Sequence, residues 1–271
     1  MKTLKVALIA TTMLCAITVA KADLVLVDNG VGFGGCTDAN CRSFTDMNGT
    51  GFGALPRLLT EQTSTYEAGL VAPNGSGGVT FPTFANPAAP GIAAGTTNVA
   101  IPGSDKASSP SLQGLGWTDA SKVGIAFVSD QTGNTGITLQ TLSLSLYNGS
   151  VRLGTFSLAG PVQYTQADLA LQPGNGNAAF TFVLNAAQQA TWNGLVDGNN
   201  LATLFVGLAA SLGCNATPSA TCQVSNDGPD SFAALAQPGS PLNPVPVPAA
   251  IWLFGAGLAG MIALSRRRKT A

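Results

Sequence analysis

Ile137-Thr138-Leu139-Gln140-Thr141-Leu142-Ser143-Leu144-Ser145-Leu146-Tyr147-Asn148-Gly149-Ser150-Val151-Arg152-Leu153-Gly154-Thr155-Phe156-Ser157-Leu158 is the stretch on which the fold turns. Leu142, Leu144 and Leu146 alternate with Thr141, Ser143 and Ser145. A period of two puts the leucines on one face of a strand and the hydroxyls on the other. Asn148-Gly149 follows as a hairpin turn, read as type I′ because such turns favour Asn-Gly. Val151, Leu153, Phe156 and Leu158 make the return strand. The phase breaks at Gln140-Thr141 and near Gly154-Thr155, and a β-bulge explains each.

Further strands are expected outward from this hairpin. Leu24–Val27, Val123–Val128, Ala179–Leu184 and Leu201–Leu212 are compact apolar runs. Asn185 to Val196 is the best helix, with Asn185 as its N-cap. Residues 72–116, rich in Gly, Pro, Asn and Ser, read as long surface loops. Short strands, turn signals and one minor helix favour an all-β fold, an antiparallel β-sandwich of the jelly-roll kind. Repeated long helices are missing, so a parallel α/β fold is disfavoured.

Charge divides the 271 residues into three. Charged residues are 9 % of the chain, against roughly 25 % in ordinary soluble domains. Lys2, Lys5 and Lys21 lie at one end, and Arg266, Arg267, Arg268 and Lys269 at the other. Between them stand five cations (Arg42, Arg57, Lys106, Lys122, Arg152) and all 13 acids, a net charge of −8. This layout excludes a basic nucleic-acid binder. Residues 1–22 read as a signal peptide, with Ala20-Lys21-Ala22 as the A-x-A cleavage site. Residues 23–240 form the ectodomain and 241–271 the tail.

In the tail, Val245 to Leu264 is 20 uncharged residues, about the ~20 that cross a hydrocarbon core. The cluster Arg266, Arg267, Arg268 and Lys269 then acts as a stop-transfer signal that keeps the C-terminus inside. Val245-Pro246-Val247-Pro248-Ala249, the apolar run with Trp252-Leu253-Phe254-Gly255, and the Arg cluster resemble a PEP-CTERM sorting tail, its VPLPA-type variant most. The resemblance covers roughly the last 28 residues. Val247 stands where the founding pattern has a Glu. It implies an exported protein of a Gram-negative bacterium that makes extracellular polysaccharide. The implied partners are the membrane, the export machinery and an exosortase that reads the motif. The protein would be anchored in the inner membrane first, then reach the cell surface or matrix.

Four of the five cysteines follow the signal, as the local pairs Cys36 with Cys41 and Cys214 with Cys222. An even number in an exported chain points to disulfides. Four cysteines allow three connectivities, of which the two local bridges are favoured. The second spacing does not suit a four-thiolate zinc site, and no metal ligand set is assigned.

Zero histidine removes the commonest general base and metal ligand. Gly30-Val31-Gly32-Phe33-Gly34-Gly35 fits G-x-G-x-x-G, but the polar loop Cys36–Cys41 follows where a dinucleotide fold needs a helix. Lys106 and Lys122, the lysines available to a Ser-Lys dyad, sit in polar surroundings. Glu61 and Glu67 are the only glutamates, and Asp119, Asp130 and Asp168 are scattered, so nothing in the sequence makes two carboxylates converge for glycoside hydrolysis. No cofactor is expected. Calcium is the one candidate ion, through Asp38 with Asn40, Asp46 with Asn48, or Asn226-Asp227-Gly228-Pro229-Asp230. Turn-forming Asx residues account for the same pattern.

No catalytic residue is assigned, and the chain is read as a non-enzyme. The leading function is a structural or interaction component of the envelope, biofilm or exopolysaccharide matrix. The runner-up is a carbohydrate-binding module using Trp117, Trp192, Tyr66, Tyr147 or Tyr164, although core positions suit these rings better. A carboxylate-dependent glycan hydrolase is a weaker third.

Overall fold

The computed structural model describes residues 23–28, 55–84, 91–131, 135–170, 177–214, 222–226 and 228–235. Within them the hairpin is β6 (Ile137–Asn148) and β7 (Val151–Leu158), paired antiparallel. Leu142, Leu144 and Leu146 are buried in the main core. On the opposite face hydroxyls ladder across the sheet, Ser143 to Ser157 at 2.9 Å and Ser145 to Thr155 at 3.0 Å. Such cross-strand pairs satisfy side chains that have little access to water.

Both phase breaks are register shifts. Thr141 pairs with Ser211 and Leu139 with Leu212, which leaves Gln140 as the extra residue. On the return strand Leu146 pairs with Gly154 and Tyr147 with Arg152, so the extra residue is Leu153, just before the expected break. The turn differs from expectation. Asn148 pairs with both Val151 and Leu204, so it belongs to the strand, and the central residues are Gly149 and Ser150. Of these only Gly149 has positive φ, 58°. A positive φ at the first central position alone is the II′ pattern, not I′.

The remaining strands are β1 (Asp23–Asp28), β2 (Arg57–Glu61), β3 (Tyr66–Pro73), β4 (Val79–Thr80), β5 (Gly124–Asp130), β8 (Val162–Tyr164), β9 (Asn177–Leu184), β10 (Leu204–Gly213) and β11 (Asp230–Ala234). They form one hydrogen-bonded sheet in the order β2-β11-β5-β9-β1-β7-β6-β10-β3-β4, with β8 added to β6. Every pairing is antiparallel except β1 with β7. The fold is all-β.

The two flanks of this sheet face each other across β1. A Cβ at Gly69 of β3 would lie 2.7 Å from Leu59 Cδ1 of β2, although the two strands are not ladder partners. Phe127, Phe180, Phe182 and Phe232 of one flank share a core with Leu144, Val206, Leu208 and Val71 of the other. Trp117 and Trp192 fill one end of it, with ring centroids 6.2 Å apart.

Residues 98–108 correct the surface-loop reading of this region. Val99 N–H donates to Ala68 O of β3 at 2.9 Å, and Ile101 N–H donates to Thr60 O of β2 at 2.8 Å. Asn98 imitates a strand residue with its side chain: Oδ1 accepts Leu70 N–H at 3.1 Å and Nδ2 donates to Leu70 O at 2.8 Å. The segment is a strap that covers the outer edges of both flanks. It needs no apolar alternation, because the edges supply its hydrogen bonds.

The helices are short: α1 (Leu112–Leu115), α2 (Gln166–Ala170) and α3 (Ala186–Val196). In α3, Asn185 accepts Gln188 N–H, and Gln188 returns a bond to the cap backbone, a complete capping box.

Candidate functional site

Glu61 ends β2 and Asp230 begins β11, and the two are direct partners in the antiparallel ladder. Directly opposite residues project to the same face, about 5 Å apart at Cβ. Glu67 and Gly69 share one face of β3, two residues apart. Glu61 reaches across into that face, where its Oε2 fills the place that a Cβ at Gly69 would take. The missing side chain makes room for the carboxyl. Thr65, with φ 74°, lies in the 62–65 link that carries the chain from β2 to the opposing strand.

Three carboxyls therefore meet inside the protein, all at 0 % exposure. Glu67 Oε1 accepts Thr63 N–H at 2.8 Å and the Ser225 hydroxyl at 2.8 Å. Asp230 Oδ1 accepts Asp130 N–H at 3.0 Å, and Oδ2 accepts from Gln131 Nε2 at 3.3 Å. Both oxygens of Glu61 and Oε2 of Glu67 have no hydrogen-bond partner in the described structure. Burial raises Glu61 well above the usual carboxyl range, and the charges of Glu67 and Asp230 push it further. Burial lifts Glu67 to about 7 against the pull of its donors, and lifts Asp230 well above its ordinary value with Glu67 beside it. The scattered-carboxylate expectation is thus corrected for Glu61, Glu67 and Asp230. The available signal was the pair of lone glutamates on either side of a short turn; Asp230 gave none, being 163 residues from Glu67 in sequence.

Other expected site residues fall elsewhere. Cys214 and Cys222 form a disulfide with Cα atoms 6.0 Å apart. Cys36 and Cys41 lie outside the described residues, as do Asp38, Asn40, Asp46, Asn48 and Asp227. Asn226 donates its backbone N–H to Gln131 Oε1 and its Nδ2 to Thr135 Oγ1, and Gln131 in turn donates to Asp230, so the amide of Gln131 stands between the two. Among the described residues no group of three or more His, Cys, Asp or Glu is arranged to hold a metal. Trp117, Trp192 and Tyr164 are buried core rings and Tyr147 is nearly so, which leaves Tyr66 as the partly exposed ring of the five. Asp119 caps a 3₁₀ turn at the surface and Asp168 bonds Thr165, partners that the three carboxyls do not share.

Ala20 and Ala22, the motif Val245, Pro246, Val247, Pro248 and Ala249, and the cations Arg266, Arg267, Arg268 and Lys269 also lie outside the described residues. Among the described residues no helix is long and apolar enough to cross a membrane. What decides the tail is its order of chemistry: prolines, an apolar run and then cations, and a family model for this order matches residues 244–269. The chain carries a PEP-CTERM protein-sorting motif. Comparison with curated proteins and with solved structures finds no match. A PEP-CTERM motif implies export, anchoring in a membrane during sorting, and processing by exosortase-type machinery. These implications come from 26 residues, so they concern the address of the protein and not the chemistry of its β domain.

Proposed function

We propose that this is an exosortase-processed, exported surface protein whose β domain acts without catalysis, as a structural or interaction component of the envelope or polysaccharide matrix. The observation that carries the reading is the PEP-CTERM motif at 244–269. Its Val245-Pro246-Val247-Pro248-Ala249 core is of the VPLPA type, and the cations after Leu264 orient the C-terminus inward before processing. The facing flanks of the sheet support a sandwich of the jelly-roll kind for the domain that is delivered. A glycan hydrolase is disfavoured by where its carboxyls would be: Glu61, Glu67 and Asp230 are sealed from solvent, and a glycosidic bond has no route to them. Burial of Trp117 and Trp192 likewise removes the strongest stacking platforms from a carbohydrate-binding module.

Fractionation with intact-mass measurement tests the sorting claim. In a host with an exosortase, the surface or medium fraction is expected to hold a chain cut near Val245–Ala249, and deletion of 244–269 is expected to prevent the cut. Recovery of the chain still ending at Ala271 in the membrane fraction of that host would sink it.

A further inference from the structure

The three carboxyls sit where the two flanks of the sheet touch. Glu61 is on β2, Asp230 is its ladder partner on β11, and Glu67 is on the facing strand β3. Gly69, Thr63 and Ser225 complete the pocket, and Ala100 of the strap bridges to Glu61 from outside. Few other charged groups belong to these elements. Asp130 of β5 gives its amide to Asp230, Arg57 stands at the far end of β2, and β3, β10 and β11 carry no cation. Tyr66 neighbours Glu67 in sequence on the other face of β3, and the strap adds the pair Lys106 with Asp105 at 3.7 Å. The charges acting on Glu61 are therefore those of Glu67 and Asp230, both of its own sign.

Three ionised carboxylates sealed together are not sustainable, because each loses its hydration and repels the others. Protons resolve this. Glu67 and Asp230 stand within hydrogen-bond reach of each other, so a proton on one is shared with the other, and a protonated, buried Glu61 no longer repels either. We infer that Glu61, Glu67 and Asp230 form a proton-operated latch between the flanks: sharing protons they hold β2 and β11 against β3, and stripped of protons they push β2, β11 and the 98–108 strap away. The latch responds to alkali. These carboxyls bind protons more tightly folded than unfolded, so the closed form is favoured below the ordinary carboxyl range and weakens as pH rises through about 7.

Thermal unfolding and amide hydrogen exchange of the full chain at pH 5 and pH 8 test this. The wild type is expected to lose about 5 °C or more of Tm between the two, with protection falling first at β2, β11 and residues 98–108. Glu61→Gln keeps the shape, adds an N–H donor toward its acidic neighbours, and is expected to flatten the pH dependence and raise the Tm at pH 8. Glu67→Gln serves the same purpose if Glu61→Gln does not fold. A wild-type Tm that is level across this range, an unchanged slope in the Gln variants, or protection lost uniformly would overturn the latch. Millimolar calcium at pH 8 is expected to leave the Tm unmoved. A calcium-dependent rise abolished by Glu61→Gln would also overturn it, because a cation and not a proton would then neutralise the cluster.

Discussion

Gly69 has no side chain because Glu61 and Leu59 occupy the space where one would be. A methyl group there would collide with Glu61 Oε2 and meet Leu59 Cδ1 at 2.7 Å, well inside contact distance. Both tips belong to fully buried residues, so neither can swing into water. The φ of Gly69 is not positive, so backbone strain plays no part and alanine would gain slightly in strand propensity. Overpacking decides the sign. Gly69→Ala is expected to destabilise by about 1–3 kcal/mol, read as a lower urea midpoint. Combining it with Glu61→Ala should cost less than the sum of the two single changes, because the second substitution vacates the space the first one needs. An unchanged midpoint for Gly69→Ala would show that the flanks are not in contact there.

At the scale of elements, α3 is held by its first turn. Asn185 Oδ1 accepts Gln188 N–H at 2.9 Å, and Gln188 Nε2 donates to Ser157 O of β7 at 3.2 Å. Asn185→Ala removes the cap and loosens the residue that ties helix to sheet, so a loss of about 1 kcal/mol is expected by chemical denaturation. A variant as stable as the wild type would mean that the buried Trp192 and Val196 dock the helix without help from the cap. Asn185 was legible in the sequence, and so were β6, β7 and the Gln140 bulge, because alternation and capping are local rules. β2 and β3 were not. Leu58-Leu59-Thr60-Glu61 is buried throughout, so it shows no polar face to betray its period. The strap was missed for a different reason: Asn98 and Val99 take their partners from Leu70 and Ala68, about thirty residues back in sequence. The buried carboxyls depended on the same long-range pairing. The sorting tail, in contrast, is written wholly in composition and order.

For the whole molecule the latch alters what net charge means. The ectodomain segment has five cations and 13 acids, −8 when every carboxyl is ionised. Unfolded carboxyls near 4 are ionised at pH 6. In the folded protein Glu67, held near 7, is mostly protonated at that pH, and Glu61 and Asp230 lie higher than ordinary carboxyls for the same reason of burial. The folded segment is therefore less negative than −8, and it should release protons on unfolding at pH 6, Glu67 alone accounting for most of one. Asp119, lowered chiefly by its bond from Ser121, shifts in the opposite direction but is ionised in both states at this pH and adds nothing. Stability is thus expected to fall with rising pH around neutrality, opposite to a protein whose carboxylates are paired with cations. Dye-monitored proton release on urea unfolding at pH 6 reads the number directly, and Glu61→Gln and Glu67→Gln should each lower it. A wild type that releases no protons would mean that the cluster is ionised in the folded state, and that something other than protons holds the two flanks of the sheet together.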